Sequence, residues 1–318
     1  MKNRSLAVAA LLALWVVSAN AQSQLTAACK TCHPAETRLH EQTRMAHAMV
    51  PAASSVFAQN LPDHPLSDSP NHFVFSYKPT QNGIEVTVTR NGERVEGIIQ
   101  WVVGAGAQGQ TPLVRSGDNV FESRVSYFTR AQQYGITLGQ GGSSGNGLGR
   151  YQSSRVLQAC LGCHASAITR DLQPVVPGVQ CQRCHLGADE HAHGNGKLPL
   201  NPGKLAPAAQ VRFCGHCHRS QAPPDTGPLE IARFQPVQLM KSRCFQSGKL
   251  ACTTCHVAHQ DARRNDPAFY NAKCHACHDG LSFHADARRM GNCIGCHMPR
   301  VQIHPALAFT DHFIRVVK

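Results

Sequence analysis

The sequence predicts a mostly α-helical and irregular fold of short helices, with one small antiparallel β module near its N-terminal end. Three observations lead to this prediction. Fourteen of the fifteen cysteines fall into seven C-x-x-C pairs, whose spacing places two thiols on one side of a helical turn. Proline and glycine recur between the pairs after residue 160, which favours short helices and irregular connections. Residues 69–140 contain no cysteine and alternate β-branched or aromatic residues with polar ones, as strands do.

Each C-x-x-C pair is followed directly by histidine. Only 19 of the 318 residues are histidine, so chance does not explain seven such positions, and C-x-x-C-H is the repeated unit. This pentapeptide is the attachment signature of c-type haem. Its cysteines form thioethers with two porphyrin vinyl groups, and its histidine faces the same way and ligates the iron. We therefore predict seven covalently attached haem c groups, held by Cys29, Cys32 and His33; Cys160, Cys163 and His164; Cys181, Cys184 and His185; Cys214, Cys217 and His218; Cys252, Cys255 and His256; Cys274, Cys277 and His278; and Cys293, Cys296 and His297.

Other uses of paired cysteines fit the pattern less well. Zinc ribbons would need pairs of pairs, whereas seven is an odd number, and they do not require a trailing histidine. A thioredoxin-like redox pair belongs beside a βαβ pattern, which the sequence lacks. A disulfide scaffold would leave the seven histidines unexplained.

Residues 1–21 have the pattern of a secretory signal peptide. Two basic residues precede an apolar run over residues 6–17, and Ala-Asn-Ala at 19–21 is a small-x-small cleavage site. The run is too short to cross a bilayer. We expect a mature chain that begins near Gln22 and lies in the periplasm.

The motifs are distributed unevenly along the chain. We predict a single-haem segment over 22–68, a β-rich module over 69–140, a glycine-rich linker over 141–155 and a six-haem domain over 156–318. Six motifs in so short a domain cannot each have a separate core, so the haems must share walls and lie near one another. Asn82-Gly83 and another Asn-Gly pair downstream predict hairpins in the β module. That module is either a docking surface or a lid packed over a haem.

The charge of the chain does not indicate a nucleic-acid partner. Its formal net charge is +12, but each haem brings two propionates that offset the basic residues. Lysine and arginine are not concentrated in runs. We therefore expect redox proteins as partners, and no nucleic acid.

Several stretches around the motifs resemble a known family. "CHPAETRLHEQTRMAHAM", "CHLGADEHAHG", "LACTTCHVAHQ", "CHDGLSFHAD" and "CIGCHMPRVQIHPALAFTDHFIRV" are similar to periplasmic multihaem c-type cytochromes, the group of pentahaem nitrite reductases, octahaem hydroxylamine oxidoreductases and their electron-carrier relatives. The resemblance covers residues 29–50 and 155–318, and the β module only loosely. It implies six distal iron ligands, and His72 is added to complete a set of seven. The predicted set is His47, His72, His191, His259, His284, His304 and His312.

Some assignments stay open at this stage. His40 and His47 are expected on one face of a helix, with His40 at the surface or behind His47, although the two could exchange roles. Methionine thioethers could replace some distal histidines. Cys244 has no thiol left to pair with, and is interpreted as a buried thiol or a redox group.

Three functions are compatible with these residues. If every iron has two protein ligands, the chain relays electrons and binds no substrate. If one haem is five-coordinate, the chain could reduce a small nitrogen or sulfur oxyanion. The related nitrite reductases usually hold their catalytic iron with lysine, whereas all seven motifs here end in histidine. The third possibility is a subunit of a membrane-bound respiratory complex or a self-assembling polymer.

Overall fold

The computed structural model describes residues 28–142, 145–194, 198–223, 226–227, 229–278 and 291–316. The described residues form two compact units, one within residues 1–183 and 188–197, and the other within residues 184–187 and 198–318. Its strands are β1 Met49–Pro51, β2 Leu66–Asp68, β3 Phe73–Thr80, β4 Gly83–Arg90, β5 Glu93–Val103, β6 Thr111–Ser116, β7 Asn119–Ser123, β8 Val125–Phe128, β9 Gln133–Ile136, β10 Gly149–Tyr151, β11 Ala165–Ile168, β12 Pro174–Pro177, β13 Arg300–His304 and β14 Leu307–Thr310. Its α-helices are α1 Pro34–Glu41, α2 Val56–Gln59, α3 Ser154–His164, α4 Cys181–Cys184, α5 Ala188–Ala192, α6 Pro207–His218, α7 Gln235–Met240, α8 Arg243–Gln246, α9 Cys252–Cys255, α10 Pro267–His275 and α11 Cys293–His297. Short 3₁₀ helices span Ala52–Ser54, Ser69–Asn71, Pro202–Lys204 and Glu230–Arg233.

An eight-stranded antiparallel sheet organises the first unit. Its strands follow the order β10-β7-β6-β5-β4-β3-β2, and β1 pairs with the end of β5. β5 is long enough to pair with β4 along its first part and with β1 through Met49 and Val103. The inward side chains form one apolar core, in which Phe57, Phe73 and Ile99 are almost completely buried. This sheet therefore has a core that needs no cofactor to fill it.

Both predicted Asn-Gly hairpins form. Asn91 and Gly92 join β4 to β5, and their φ angles of 51° and 86° are those of a type I′ turn. In the first hairpin the two turn residues are Gln81 and Asn82, one position earlier than the Asn82-Gly83 pair predicts. Gly83 is therefore the first residue of β4. Gly83 has a φ of 131°, and a Cβ there would lie 2.2 Å from the carbonyl oxygen of Ile99. Only glycine fits that position.

A buried ion pair joins the ends of two strands that are far apart in the order of this sheet. The Arg124 guanidinium donates to Asp68 Oδ2 from Nε at 2.9 Å and from a terminal nitrogen at 2.5 Å, and both side chains are only 4% exposed. Asn71 donates its side-chain amide to the same carboxylate. The Arg124 guanidinium also lies over the Phe73 ring, 4.9 Å from its centre. These contacts connect the end of β2 to the residue that follows β7.

The helix that carries the second attachment motif packs against this sheet. Leu157 and Leu161, one turn apart on α3, are buried with Met49 and Val120. The Ser153 side chain accepts a hydrogen bond from the Val156 N–H and caps the start of α3. The sheet therefore positions an attachment helix directly.

The second unit consists mainly of short helices. Those described in it, α6 to α11, are 4 to 12 residues long. A β13–β14 hairpin, in which Val301 pairs with Phe309, follows the last attachment motif. Across the ranges given above, no helix has both the length and the apolarity needed to cross a membrane.

The prediction of a mostly α-helical and irregular fold with a small β module is wrong. Of the residues that the structure describes, about 33% are helical and 28% are in strands, with a large curled sheet and several smaller sheets. β1, β2 and β10 add to the large sheet from outside residues 69–140. Strands of three residues are too short to show an alternating pattern, and β12 begins and ends with proline, which reads as irregular chain.

The buried Arg124–Asp68 pair yields a stability prediction. Asp68→Asn should lower the free energy of unfolding by about 3 kcal/mol, because it leaves a buried guanidinium without its counter-charge. The measurement is the urea unfolding midpoint of the holoprotein, followed by far-ultraviolet circular dichroism. Glu96→Gln is the matched control, since the Arg94–Glu96 pair is more than 60% exposed and should contribute less than about 1 kcal/mol. Equal midpoints for the two variants would contradict the assignment.

Candidate haem-attachment sites

The attachment motifs adopt the local structure that thioether formation requires. All seven lie in the described part of the chain, at or within a helical turn. In the first, fifth and sixth motifs the histidine N–H donates to the carbonyl oxygen of the first cysteine, at 2.8, 3.0 and 2.9 Å. This i to i+4 bond closes the turn that brings both thiols and the imidazole to one side.

Local sequence explains where two of the helices that carry motifs begin. Asp266 accepts a hydrogen bond from the Phe269 N–H, with Pro267 as the first helical residue of α10. The Asn292 side chain accepts a hydrogen bond from the Gly295 N–H at 2.9 Å and so caps the start of α11. These capping bonds orient the turns on which the sixth and seventh cysteine pairs lie.

Three motif histidines are held through one ring nitrogen. Nδ1 donates to a backbone carbonyl oxygen in His164, His185 and His297, with Ala48, Leu200 and Arg315 as the respective acceptors at 3.0, 3.0 and 2.7 Å. A histidine that ligates a metal commonly donates its other N–H in this way, which fixes the tautomer and the ring orientation. In these three residues Nε2 therefore carries the lone pair, as an iron ligand must.

Two ring contacts each join a motif histidine to a predicted distal histidine. The ring centres of His185 and His259 are 6.0 Å apart with an interplanar angle of 31°. Those of His256 and His312 are 6.2 Å apart at 30°. Two metal–nitrogen bonds of about 2 Å, with each ring centre about 1.2 Å beyond its nitrogen, would give about 6.4 Å. The centre-to-centre distance of each pair therefore matches that expected for two imidazoles on one iron.

The electrostatics of these imidazoles favour their neutral form. Burial, with a smaller contribution from the nearby His256 ring, lowers the pKa of His312 to about 4. Burial also lowers the pKa of His256 and of His164. A neutral imidazole offers its lone pair to a metal, whereas the protonated ring does not.

Thiols from different motifs contact each other in the second unit. The Cys252 thiol hydrogen-bonds to Cys214, which lowers the pKa of Cys214 to about 7. Cys274 is in the same kind of contact with Cys293, although burial is the main reason that its pKa rises to about 11. In a haem-loaded chain these sulfurs would be thioethers and could not donate hydrogen bonds. The contacts would then show only that two attachment sites lie close together.

The other predicted distal ligands lie in varied surroundings. His191 on α5 is half-buried, and its Nδ1 is shielded from solvent without a hydrogen-bond partner, which leaves that nitrogen available as a metal ligand. His72 is exposed in a left-handed conformation. His304 Nδ1 accepts a hydrogen bond from the Ala306 N–H, whereas Nδ1 donates in the three motif histidines described above. His284 lies outside the described residues.

The prediction that His40 and His47 share a helix face is wrong. Helix α1 ends at Glu41, and His47 is an exposed residue whose Nε2 donates to the Glu41 carbonyl oxygen. His40 is not at the surface. It is 9% exposed and its Nε2 donates to the Val179 carbonyl oxygen at 2.7 Å. After Glu41 the chain forms a series of turns that leads to β1.

The attachment helices, the oriented imidazoles and the facing histidine pairs are features typical of multihaem c-type cytochromes. The comparisons agree with that class. A family model described as cytochrome c554 and c-prime matches residues 141–186, which include the second and third motifs. The structure titled "Crystal Structure of Outer Cell Wall Cytochrome OcwA" matches with a TM-score of 0.53 and 14% identity, over 91% of this chain and 79% of that one. At this identity the match shows a shared fold.

No curated protein matches the chain. The matches do not name the nitrite reductases or the hydroxylamine oxidoreductases, so the narrower resemblance stays a prediction based on the motifs.

Sequence reasoning did not find the groups that hold the motif histidines. The acceptors at Ala48, Leu200 and Arg315 are backbone carbonyls, which any residue type supplies. Only the folded chain shows which carbonyl reaches which ring.

The attachment assignment predicts a change in haem content. Cys293→Ala combined with Cys296→Ala should lower the haem-to-protein ratio by one, because both thioethers of that site are lost. The ratio is measured by the pyridine haemochrome method on purified protein. Cys244→Ala is the control, since this cysteine lies outside every motif and its removal should leave the ratio unchanged. An unchanged ratio in the double variant would contradict the assignment.

Proposed function

We propose that the chain carries seven covalently attached haem c groups and relays electrons between redox protein partners outside the cytoplasm. The two facing histidine pairs, at 6.0 and 6.2 Å, carry this proposal. An iron closed on both faces by imidazole can exchange an electron but has no position for a substrate. Bound haem supplies a one-electron iron couple at each site.

The contacts favour a specific pairing of distal ligands. His259 closes the site of Cys181 and Cys184, and His312 closes the site of Cys252 and Cys255. The buried, unpartnered ring nitrogen supports His191 as a further distal ligand. His47, His72, His284 and His304 are the other candidates.

Residues of the chain set the conditions for electron transfer. The backbone carbonyls that accept from His164, His185 and His297 make these imidazoles stronger donors to iron. Ligation by two histidines, without methionine, favours low reduction potentials. The Cys214–Cys252 and Cys274–Cys293 contacts support close approach between the fourth and fifth sites, and between the sixth and seventh. Electrons tunnel rapidly only over short gaps, so these contacts favour transfer along the second unit.

The signal-peptide pattern of residues 1–21 supports export to the periplasm. The similar structure is titled as an outer cell wall cytochrome, which also favours a place outside the cytoplasm. A membrane-bound respiratory complex is one form that the redox partner could take, and self-assembly is another.

One observation favours reduction of a small nitrogen or sulfur oxyanion as a second function. The Ala306 N–H points at His304 Nδ1, so that this ring is not oriented like the motif histidines. If His304 does not ligate iron, one haem has an open distal position, as catalysis would require.

The ligand pairing predicts spectroscopic changes. His259→Ala and His312→Ala should each convert one ferric haem from low spin to high spin, because each variant opens one distal position. Electron paramagnetic resonance of the oxidised protein measures the change. His193→Ala is the control, since His193 is exposed and its Nδ1 donates to the Asp189 carbonyl oxygen in the adjacent helix α5. Unchanged spectra in the two test variants would contradict the pairing.

Turnover separates the two functions. A relay should be reduced by a dye and reoxidised by an artificial acceptor, with no steady-state consumption of nitrite, hydroxylamine or tetrathionate. Sustained consumption of any of these, together with a high-spin signal in the wild type, would establish the catalytic alternative.

A further inference from the structure

The C-terminal segment Asp311–Arg315 contacts ligands of two different haem sites. The His312 ring faces His256, the proximal histidine of the fifth site. Three residues later, the Arg315 carbonyl oxygen accepts Nδ1–H from His297, the proximal histidine of the seventh site, at 2.7 Å. A displacement of this segment would therefore change both sites at once.

Ser242 holds this segment from a different part of the second unit. Its side chain is completely buried, and its hydroxyl donates to the His312 carbonyl oxygen at 3.3 Å. The same hydroxyl accepts the Ile314 N–H at 2.8 Å. The two contacts flank Phe313 and lie between the distal histidine and the Arg315 carbonyl.

The orientation of Ser242 is unusual for its position in the helix. Ser242 is the N-cap residue of α8, where a serine side chain normally accepts a hydrogen bond from the first turn. Its side chain makes no such cap bond. Its backbone still belongs to the helix start, because the Gln246 N–H donates to the Ser242 carbonyl oxygen. The hydroxyl is thus used for the C-terminal segment in place of its own helix.

Asp311 keeps the segment folded on itself. Its carboxylate accepts from the Phe313 N–H at 2.9 Å and from the Arg315 guanidinium at 2.6 Å. Its own N–H donates to the Pro299 carbonyl oxygen, beside the seventh motif. The segment is therefore a stiff turn, and a hydroxyl that holds its middle can set the position of both ends.

We propose that Ser242 is a positioning residue for two haem sites, which places the distal His312 of the fifth site and the Arg315 carbonyl beside His297 of the seventh. This inference rests on the proposed function, since it requires His312 and His297 to ligate iron. It predicts that one hydroxyl, outside every motif, couples the spin state of one haem to the reduction potential of another.

Ser242→Ala tests the proposal. We expect part of the low-spin signal of one haem to be lost in electron paramagnetic resonance, because His312 is less firmly held. We also expect one reduction potential to shift in a spectroelectrochemical titration, because the Arg315 carbonyl moves relative to His297. Haem content and far-ultraviolet circular dichroism should match the wild type.

Ser247→Ala is the matched control. Ser247 ends the same helix, and its hydroxyl donates to the Cys244 carbonyl oxygen in an exposed position. It should change neither signal. Ser242→Thr and Ser242→Val provide a second comparison in case the alanine variant does not fold. They have equal size, and only threonine should keep the wild-type spin state and potentials.

The outcomes separate the two proposals. If Ser242→Ala folds with unchanged spin state and potentials, or if the threonine and valine variants behave alike, the role of Ser242 is wrong. If instead His312→Ala leaves the spin state unchanged, the ligand assignment behind the proposed function is wrong.

Discussion

In the proposed protein, an iron held between two imidazoles fixes the distance between their rings, and the second unit depends on this constraint. His185 faces His259, and His256 faces His312, so that sites far apart in sequence are tied together. His256 and His259 are three residues apart, which places one short stretch of chain between two sites. The buried apolar residues of this unit are few and mostly small, with Phe234 and Leu239 among the largest. In the proposed protein the cofactors therefore supply much of the interior and act as cross-links between short helices.

The first unit follows a different rule. Its sheet has a conventional apolar core around Phe57, Phe73 and Ile99, and a buried ion pair between Arg124 and Asp68. It also supports α3, the helix of the second motif. The β-rich part of the chain is thus a scaffold with its own stability, whereas the second unit of the proposed protein relies on its cofactors. A scaffold of this kind suits a protein in which several haems must keep fixed distances for electron transfer.

The sequence allowed some features to be predicted, and the reasons are local. The pentapeptide is a contiguous chemical unit, and Asn91-Gly92 determines its own turn. The extent of β-structure could not be predicted, because strands such as Met49–Pro51 form only when a long neighbour like β5 is available to pair with them. The partner of each motif histidine could not be predicted from the sequence either. His259 is separated from His185 by more than seventy residues, and no spacing indicates that their rings meet. The proposed role of Ser242 could not be predicted for the same reason, since it depends on contacts with residues near position 313.

The most direct measurement is the position of iron in the haem-loaded protein. Diffraction data collected on both sides of the iron absorption edge locate each iron without reference to a model of the chain. We expect one iron peak between the His185 and His259 rings and another between the His256 and His312 rings, each about 2 Å from a nitrogen of both rings. Iron peaks that contact only one imidazole of each pair, or no iron between them, would contradict the structure-based assignment of closed, electron-relaying sites.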